Sequence, residues 1–200
     1  DLPAIREILH RRGIPLLVDE AHGAHLGFSA GFPGGAVQAG ADLVVQSLHK
    51  TLPSLTQTAA IHVCGDLADP EELERQLSIY ETSSPSYLLM ASIDSCVRLL
   101  EREGGERFAA YEERLARFGE QVRALENLQV LGYGRDSLDR HPGFWKKDPG
   151  KLVLLPRQRT QSGAWLMEQL RQRFGIELEM AQEGYALAMT SLCDTEENLN

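Results

Sequence analysis

The chain has 200 residues, 42% of them hydrophobic, with 20 Lys+Arg against 29 Asp+Glu and a formal net charge of −9. That length makes one medium domain, or one domain and part of another, and buries roughly 70% of the unfolded surface. The acidic balance argues against a nucleic-acid or anionic-membrane surface, and no apolar run approaches the roughly 18 residues of a membrane span.

Cys64, Cys96 and Cys193 are scattered and form no CxxC. A disulfide framework and a metal site are both disfavoured, and a cytoplasmic location is expected. The chain opens on Asp1 and its first methionine is Met90, the texture expected of a piece of a longer protein.

Apolar residues at Leu2, Ile5 and Leu9 have helical spacing and end at Gly13, which predicts a first helix over residues 2–12. The run Ile14-Pro15-Leu16-Leu17-Val18 predicts a buried parallel strand, and the glycine-rich stretch from Gly23 to Gly40 a loop. Residues 42–46 and 58–63 are the next strand candidates. Helix, strand, loop and two strands make an α/β pattern.

Asp69-Pro70-Glu71-Glu72 joins an N-cap acid, a proline at the first helical position and a glutamate at the third, which starts a helix reaching about Ile79. A further helix is predicted from Tyr87 to Arg102, stopped by Gly104-Gly105. Phe108, Tyr111, Leu115, Phe118, Val122 and Leu125 then mark an amphipathic helix that lies on a core or meets another subunit. His141-Pro142-Gly143 is irregular. A strand over 151–155, a helix over 161–174 closed by Gly175, and strands over 176–180 and 185–189 complete the chain. The expected division is a large domain over 1–104, a linking helix over 105–127 and a small α/β domain over 128–200.

Three polar clusters stand where an apolar strand gives way to a loop, the place where α/β sheets present working groups. The first is Asp19-Glu20-Ala21-His22-Gly23-Ala24-His25. An acid ending a buried strand is partly desolvated, and staying ionised there requires a cationic partner such as a protonated ring nitrogen. The same four letters label a helicase box, but no phosphate-binding GxxxxGK[ST] precedes them in this sequence. The bland alternative is a turn capped by Asp19 with solvated histidines.

The second cluster is Ser47-Leu48-His49-Lys50-Thr51. Ser47 and His49 can hold a phosphate, and a lysine at a strand end beside a cationic ring is available as a free amine for Schiff-base chemistry. The third is Thr82-Ser83-Ser84-Pro85-Ser86-Tyr87, whose hydroxyls either cap the next helix or reach a phosphate in this subunit or a neighbour.

Together, Asp19-Glu20-Ala21-His22, Gln46-Ser47-Leu48-His49-Lys50-Thr51-Leu52, Leu55-Thr56-Gln57 and Thr82-Ser83-Ser84-Pro85-Ser86-Tyr87 resemble the Orn/Lys/Arg decarboxylase family over residues 1 to about 100. The resemblance implies the aspartate-aminotransferase fold type I with pyridoxal 5'-phosphate as cofactor. The chain would then hold the C-terminal half of the large, mostly parallel-sheet domain, followed by a small domain. It implies that Lys50 is the Schiff-base lysine and Asp19 the partner of the pyridine nitrogen. It further implies that Ala21 packs on the ring, that His22 lies near its phenolic oxygen, and that Ser47 and His49 lie on the phosphate side. Ser83 and Ser84 fall near a dimer interface.

The implied reaction is decarboxylation of arginine, lysine or ornithine, arginine first, to a polyamine-pathway amine in a cytoplasmic homodimer or larger homo-oligomer. The family's phosphate loop and ring-stacking aromatic lie upstream of Asp1, so these 200 residues alone are expected neither to bind cofactor tightly nor to turn over. Two alternatives stay open. One is another enzyme of the same fold, an α-oxoamine synthase or an aminotransferase using Arg157 or Arg159 for a substrate carboxylate. The other is a non-catalytic homologue acting as a binding or regulatory subunit.

Overall fold

Strand and helix termini here follow from which backbone groups find partners. The computed structural model describes residues 1–134, 141, 143–158 and 160–199, so Arg159 and Pro142 lie outside the described residues. These residues form two units, Asp1–Glu106 and Arg107–Asn200.

In the first unit, helix α1 (Leu2–His10) is capped by Asp1, which accepts from the Ala4 N–H. Strands β1 (Leu17–Asp19), β2 (Leu43–Ser47) and β3 (Ala59–Val63) form one sheet in that order. β1 and β2 are parallel and β3 runs antiparallel to β2. The pleat sends alternate side chains to opposite faces. Leu16, Val18 and Val44 point to the face where Leu2 and Leu9 of α1 pack.

The opposite face carries Leu17, Asp19, Val45 and Ser47, and Leu17 there is 59% exposed. The strand expected from Ile14 is therefore shorter and less buried than its composition suggested. The Leu16 N–H goes to the Asp42 carboxylate, not to a ladder partner, so pairing begins at Leu17.

A four-residue helix, α2 (Leu48–Thr51), follows β2 directly. Helix α3 (Pro70–Tyr80) starts as its sequence predicts, with Asp69 accepting from the Glu71 and Glu72 N–H groups. The reciprocal half of a capping box is absent: Glu72 turns instead to Arg75 and Gln76.

Helix α4 runs unbroken from Tyr87 to Gln121. The stop expected at Gly104-Gly105 does not occur. Two helical glycines cost about 1 kcal/mol each relative to alanine. Burial of Cys96 before them and of Phe108, Tyr111 and Leu115 after them outweighs that cost.

In the second unit, β4 (Leu128–Val130), β5 (Lys151–Pro156), β6 (Met180–Ala181) and β7 (Ala186–Met189) form an antiparallel sheet of order β4-β5-β7-β6. Helix α5 (Gly163–Phe174) is capped by Ser162, and a short helix, α6 (Glu196–Leu199), follows β7. Val130, Leu152, Leu154, Leu166 and Ala186 make the core, covered by Phe118 near the end of α4 and by Val122 just after it. The C-terminal part of the amphipathic stretch thus lies on this core. Of the strand expected over 176–180, only Met180 is paired. Gly175, at φ +67°, closes α5, and the Ile176 N–H is taken by the Leu170 carbonyl, so the chain reaches the ladder late.

Candidate active site

Asp19 ends β1 and lies directly opposite Val45 of β2. Ser47, two residues beyond Val45, therefore shares its face. Asp19 Oδ1 accepts from the Ala21 N–H at 3.0 Å, which fixes the turn leading to His22. Both Asp19 and Lys50 are exposed. Asp19 lies on the face opposite the one α1 covers, and within this chain that face is exposed.

Lys50 Nζ lies 3.0 Å from His22 Nε2, a hydrogen bond spanning the ends of the two parallel strands. Its direction follows the proton: an ammonium donates to the ring, and a neutral amine accepts from it. His49 Nδ1 lies 2.9 Å from the Thr58 carbonyl oxygen. A carbonyl only accepts, so Nδ1 carries the proton, and Nε2 donates to an anion only when the ring is protonated. Ser47 holds the N-cap position of α2 without capping it, so the helix does not use its hydroxyl.

The structure thus brings together Asp19, Ala21, His22 and Lys50, with Ser47 and His49 on the adjoining strand end and helix. Ser83 and Ser84 sit in the exposed loop between α3 and α4, where the Ser84 N–H is taken by Thr82 Oγ1 at 3.1 Å. Ser86 approaches the Leu89 N–H at 3.4 Å, the local capping alternative.

Sequence reading missed the polar residues behind this face. Glu20 Oε1 accepts from the Ala36 N–H at 2.8 Å, and Oε2 accepts from Gln46 Nε2 at 2.7 Å. Gln46 Oε1 in turn pairs with His62 Nε2 at 3.0 Å. A glutamine closing an apolar strand was the available signal, since a buried amide needs partners. Also unforeseen is the tie between the chain after Lys50 and α4, where Ser92 Oγ accepts from the Leu55 N–H at 2.8 Å.

The residue types present are compatible with a group that offers a cationic ring nitrogen to Asp19, a carbonyl to the Lys50 amine and a phosphate to Ser47 and His49. Comparison with known proteins points the same way. The profile of the Orn/Lys/Arg decarboxylase major domain matches residues 1–152. An arginine decarboxylase of Bacillus cereus is 34% identical over 202 residues, covering 100% of this chain and 43% of that protein. The constitutive lysine decarboxylase of Escherichia coli is 33% identical over 81 residues, 40% of this chain and 11% of that protein.

Among solved structures, lysine decarboxylase A from Pseudomonas aeruginosa superposes with a TM-score of 0.73 at 19% identity, over 99% of this chain and 33% of that one. A NifS-like protein gives 0.65 at 13% identity, over 99% of this chain and 53% of that one. These two likenesses are of fold alone, and the fold is the α/β one anticipated from the sequence. The chain spans about two-fifths of the length of the curated arginine decarboxylases it matches. It belongs to the Orn/Lys/Arg decarboxylase family.

Proposed function

We propose that the full-length protein carrying this chain is a pyridoxal-phosphate-dependent decarboxylase of a basic amino acid, arginine before lysine or ornithine. The observation that carries this reading is the Lys50–His22 hydrogen bond at 3.0 Å, beside the open carboxylate of Asp19. It sets an amine and an acid at neighbouring strand ends, as a Schiff-base cofactor requires. Curated relatives named arginine decarboxylase, matching the chain end to end, support the substrate order.

Bound pyridoxal phosphate supplies the electron sink that makes loss of CO₂ from an amino acid possible. The roles of this chain's residues follow from their chemistry. Lys50 offers the amine, and Asp19 holds a proton on the ring nitrogen. Ala21 keeps the ring face clear, and His22 shares a proton with Lys50 or with the phenolic oxygen. Ser47 and protonated His49 bind phosphate.

We further propose a cytoplasmic homo-oligomer of at least two copies, with the Ser83-Ser84 loop near the contact. Ile79, Tyr80, Tyr87 and Leu88, each at least 60% exposed around that loop, support a covered surface there.

Reduction of the full-length holoprotein with borohydride, followed by peptide mapping, tests the assignment. The label is expected on Lys50 and the visible band is expected to disappear. CO₂ release should follow from arginine, lysine or ornithine. Transfer of the amino group to a keto acid without CO₂ would favour an aminotransferase, and absence of any band would favour a non-catalytic homologue.

A further inference from the structure

Glu20 and Gln46 face away from the cluster just described. Each is the immediate neighbour of a residue that faces toward it: Glu20 follows Asp19, and Gln46 precedes Ser47. One step past the end of β1, the Glu20 N–H still donates to the Val45 carbonyl at 2.8 Å. The side chain then closes two more links. Oε2 takes the Gln46 amide N–H at 2.7 Å, joining β1 to β2. Oε1 takes the Ala36 N–H at 2.8 Å, joining both to the far end of the glycine-rich loop.

Because Gln46 gives its NH₂ to a carboxylate, its carbonyl faces His62 Nε2, which must donate at 3.0 Å. The amide orientation is thereby fixed across three strands. Gly23 leaves the room that this requires: a Cβ there would stand 2.5 Å from Glu20 Cγ.

We propose that Glu20 is a positioning residue. Clamped to Gln46 on the reverse face of the sheet, it sets the separation of Asp19 from Ser47, and so of the group that binds the cofactor's ring nitrogen from the group that binds its phosphate. The inference rests on the pyridoxal-phosphate reading above. A rigid cofactor tolerates little change in that separation, since second-layer hydrogen bonds hold a site to within about 0.5 Å.

The chemistry of the clamp gives its own test. In Gln46→Glu two carboxylates meet and the clamp is broken by like charge. In Glu20→Gln combined with Gln46→Glu every link is remade in reverse. The amide introduced at position 20 would accept from the Ala36 N–H and donate to the carboxylate introduced at position 46. The second oxygen of that carboxylate accepts from His62.

The readout is the equilibrium dissociation constant of pyridoxal phosphate from the full-length protein, measured by visible absorbance, with circular dichroism reporting the fold. Gln46→Glu is expected to weaken binding at least about tenfold, and the exchanged pair to restore it to within about threefold. Should Gln46→Glu fail to fold, Glu20→Ala takes its place. An exchanged pair that folds but binds no better than the single variant overturns the proposal, as does a single variant that binds like the parent. No cofactor band in the unaltered protein overturns the pyridoxal-phosphate reading and this inference with it. A parental band without rescue overturns the clamp alone.

Discussion

Asp42 offers a direct measure of what a buried carboxylate does for the first unit. Its side chain is fully buried, and Oδ2 accepts from the Leu16 N–H at 2.7 Å and from His10 Nε2 at 2.7 Å. Burial alone would raise this carboxyl, but the Leu16 N–H and His10 hold it below its ordinary 3.8. Asp42→Ala removes two charge-assisted hydrogen bonds, each worth about 1.5–3 kcal/mol, and strands a buried N–H. His10 is 21% exposed and regains some water, so the expected loss is about 3–5 kcal/mol.

Asp42→Asn keeps one oxygen for both donors but gives up the charge that strengthens both bonds, for a loss of about 1–2 kcal/mol. The depressed carboxyl contributes stability in full above its unfolded value, and that contribution is lost as pH falls through the folded one. The gap between parent and Asn variant should therefore be wider at pH 7 than at about pH 3. Native-state hydrogen exchange at the Leu16 amide reads it directly. An alanine variant within about 1 kcal/mol of the parent, or a gap equal at both pH values, would refute this account.

Three further expectations concern the helix and the second unit. Gly105 is exposed and a Cβ there meets nothing within 4 Å, so Gly105→Ala should stabilise α4 by roughly 0.5–1 kcal/mol in urea unfolding; destabilisation would mean that a break at this point has a use. Tyr111 is fully buried, and its hydroxyl must donate to Thr190 Oγ1 at 2.7 Å because Thr190 itself donates to the Gly150 carbonyl. Tyr111→Phe should therefore cost about 1 kcal/mol and Tyr111→Ala about 3–5 kcal/mol, read from tryptophan fluorescence, since Trp145 and Trp165 both lie in this unit. Burial pushes Lys147 down to about 8, with Asp148 opposing, while burial and then nearby charge raise Tyr111 and Tyr133. A lowered lysine favours folding increasingly as pH rises from about 8, and raised tyrosines withdraw their contribution above about 10. The urea midpoint of the second unit should peak between those values, and Lys147→Met should remove the rise but not the fall.

The residues of the cluster were legible because strand ends are: an apolar run stopping at Asp19 and another at Ser47 place both at the edge of a sheet, where polar groups can face a ligand. Exposure was not legible. Composition marks Leu17 as core, and within this chain α1 covers the other face of the sheet, so Leu17 is exposed. Gly104-Gly105 misled for a related reason, since local propensity is outweighed by the burial of Phe108 and Tyr111, and Tyr111 finds its partner, Thr190, far along the chain. Glu20 and Gln46 read as ordinary members of their motifs until the register set them side by side.

The crossover between β1 and β2 also bears on the order in which the molecule assembles. Glu20 and Gln46 are 26 residues apart, whereas Gln46 and His62 are 16 apart. Loop closure favours the shorter span by about 0.4 kcal/mol. The longer span carries Gly23, Gly27, Gly31, Gly34, Gly35 and Gly40 and holds no regular helix or strand before β2 begins at Leu43, so its ordering is costly and repaid by few local bonds. The β2–β3 pair, bearing Ser47 and the chain to Lys50, should become protected first in pulsed hydrogen exchange, and the Glu20 amide later. Asp19 then meets Lys50 only in the closing steps of folding, and a ligand that bridges them acts on the last barrier of that process.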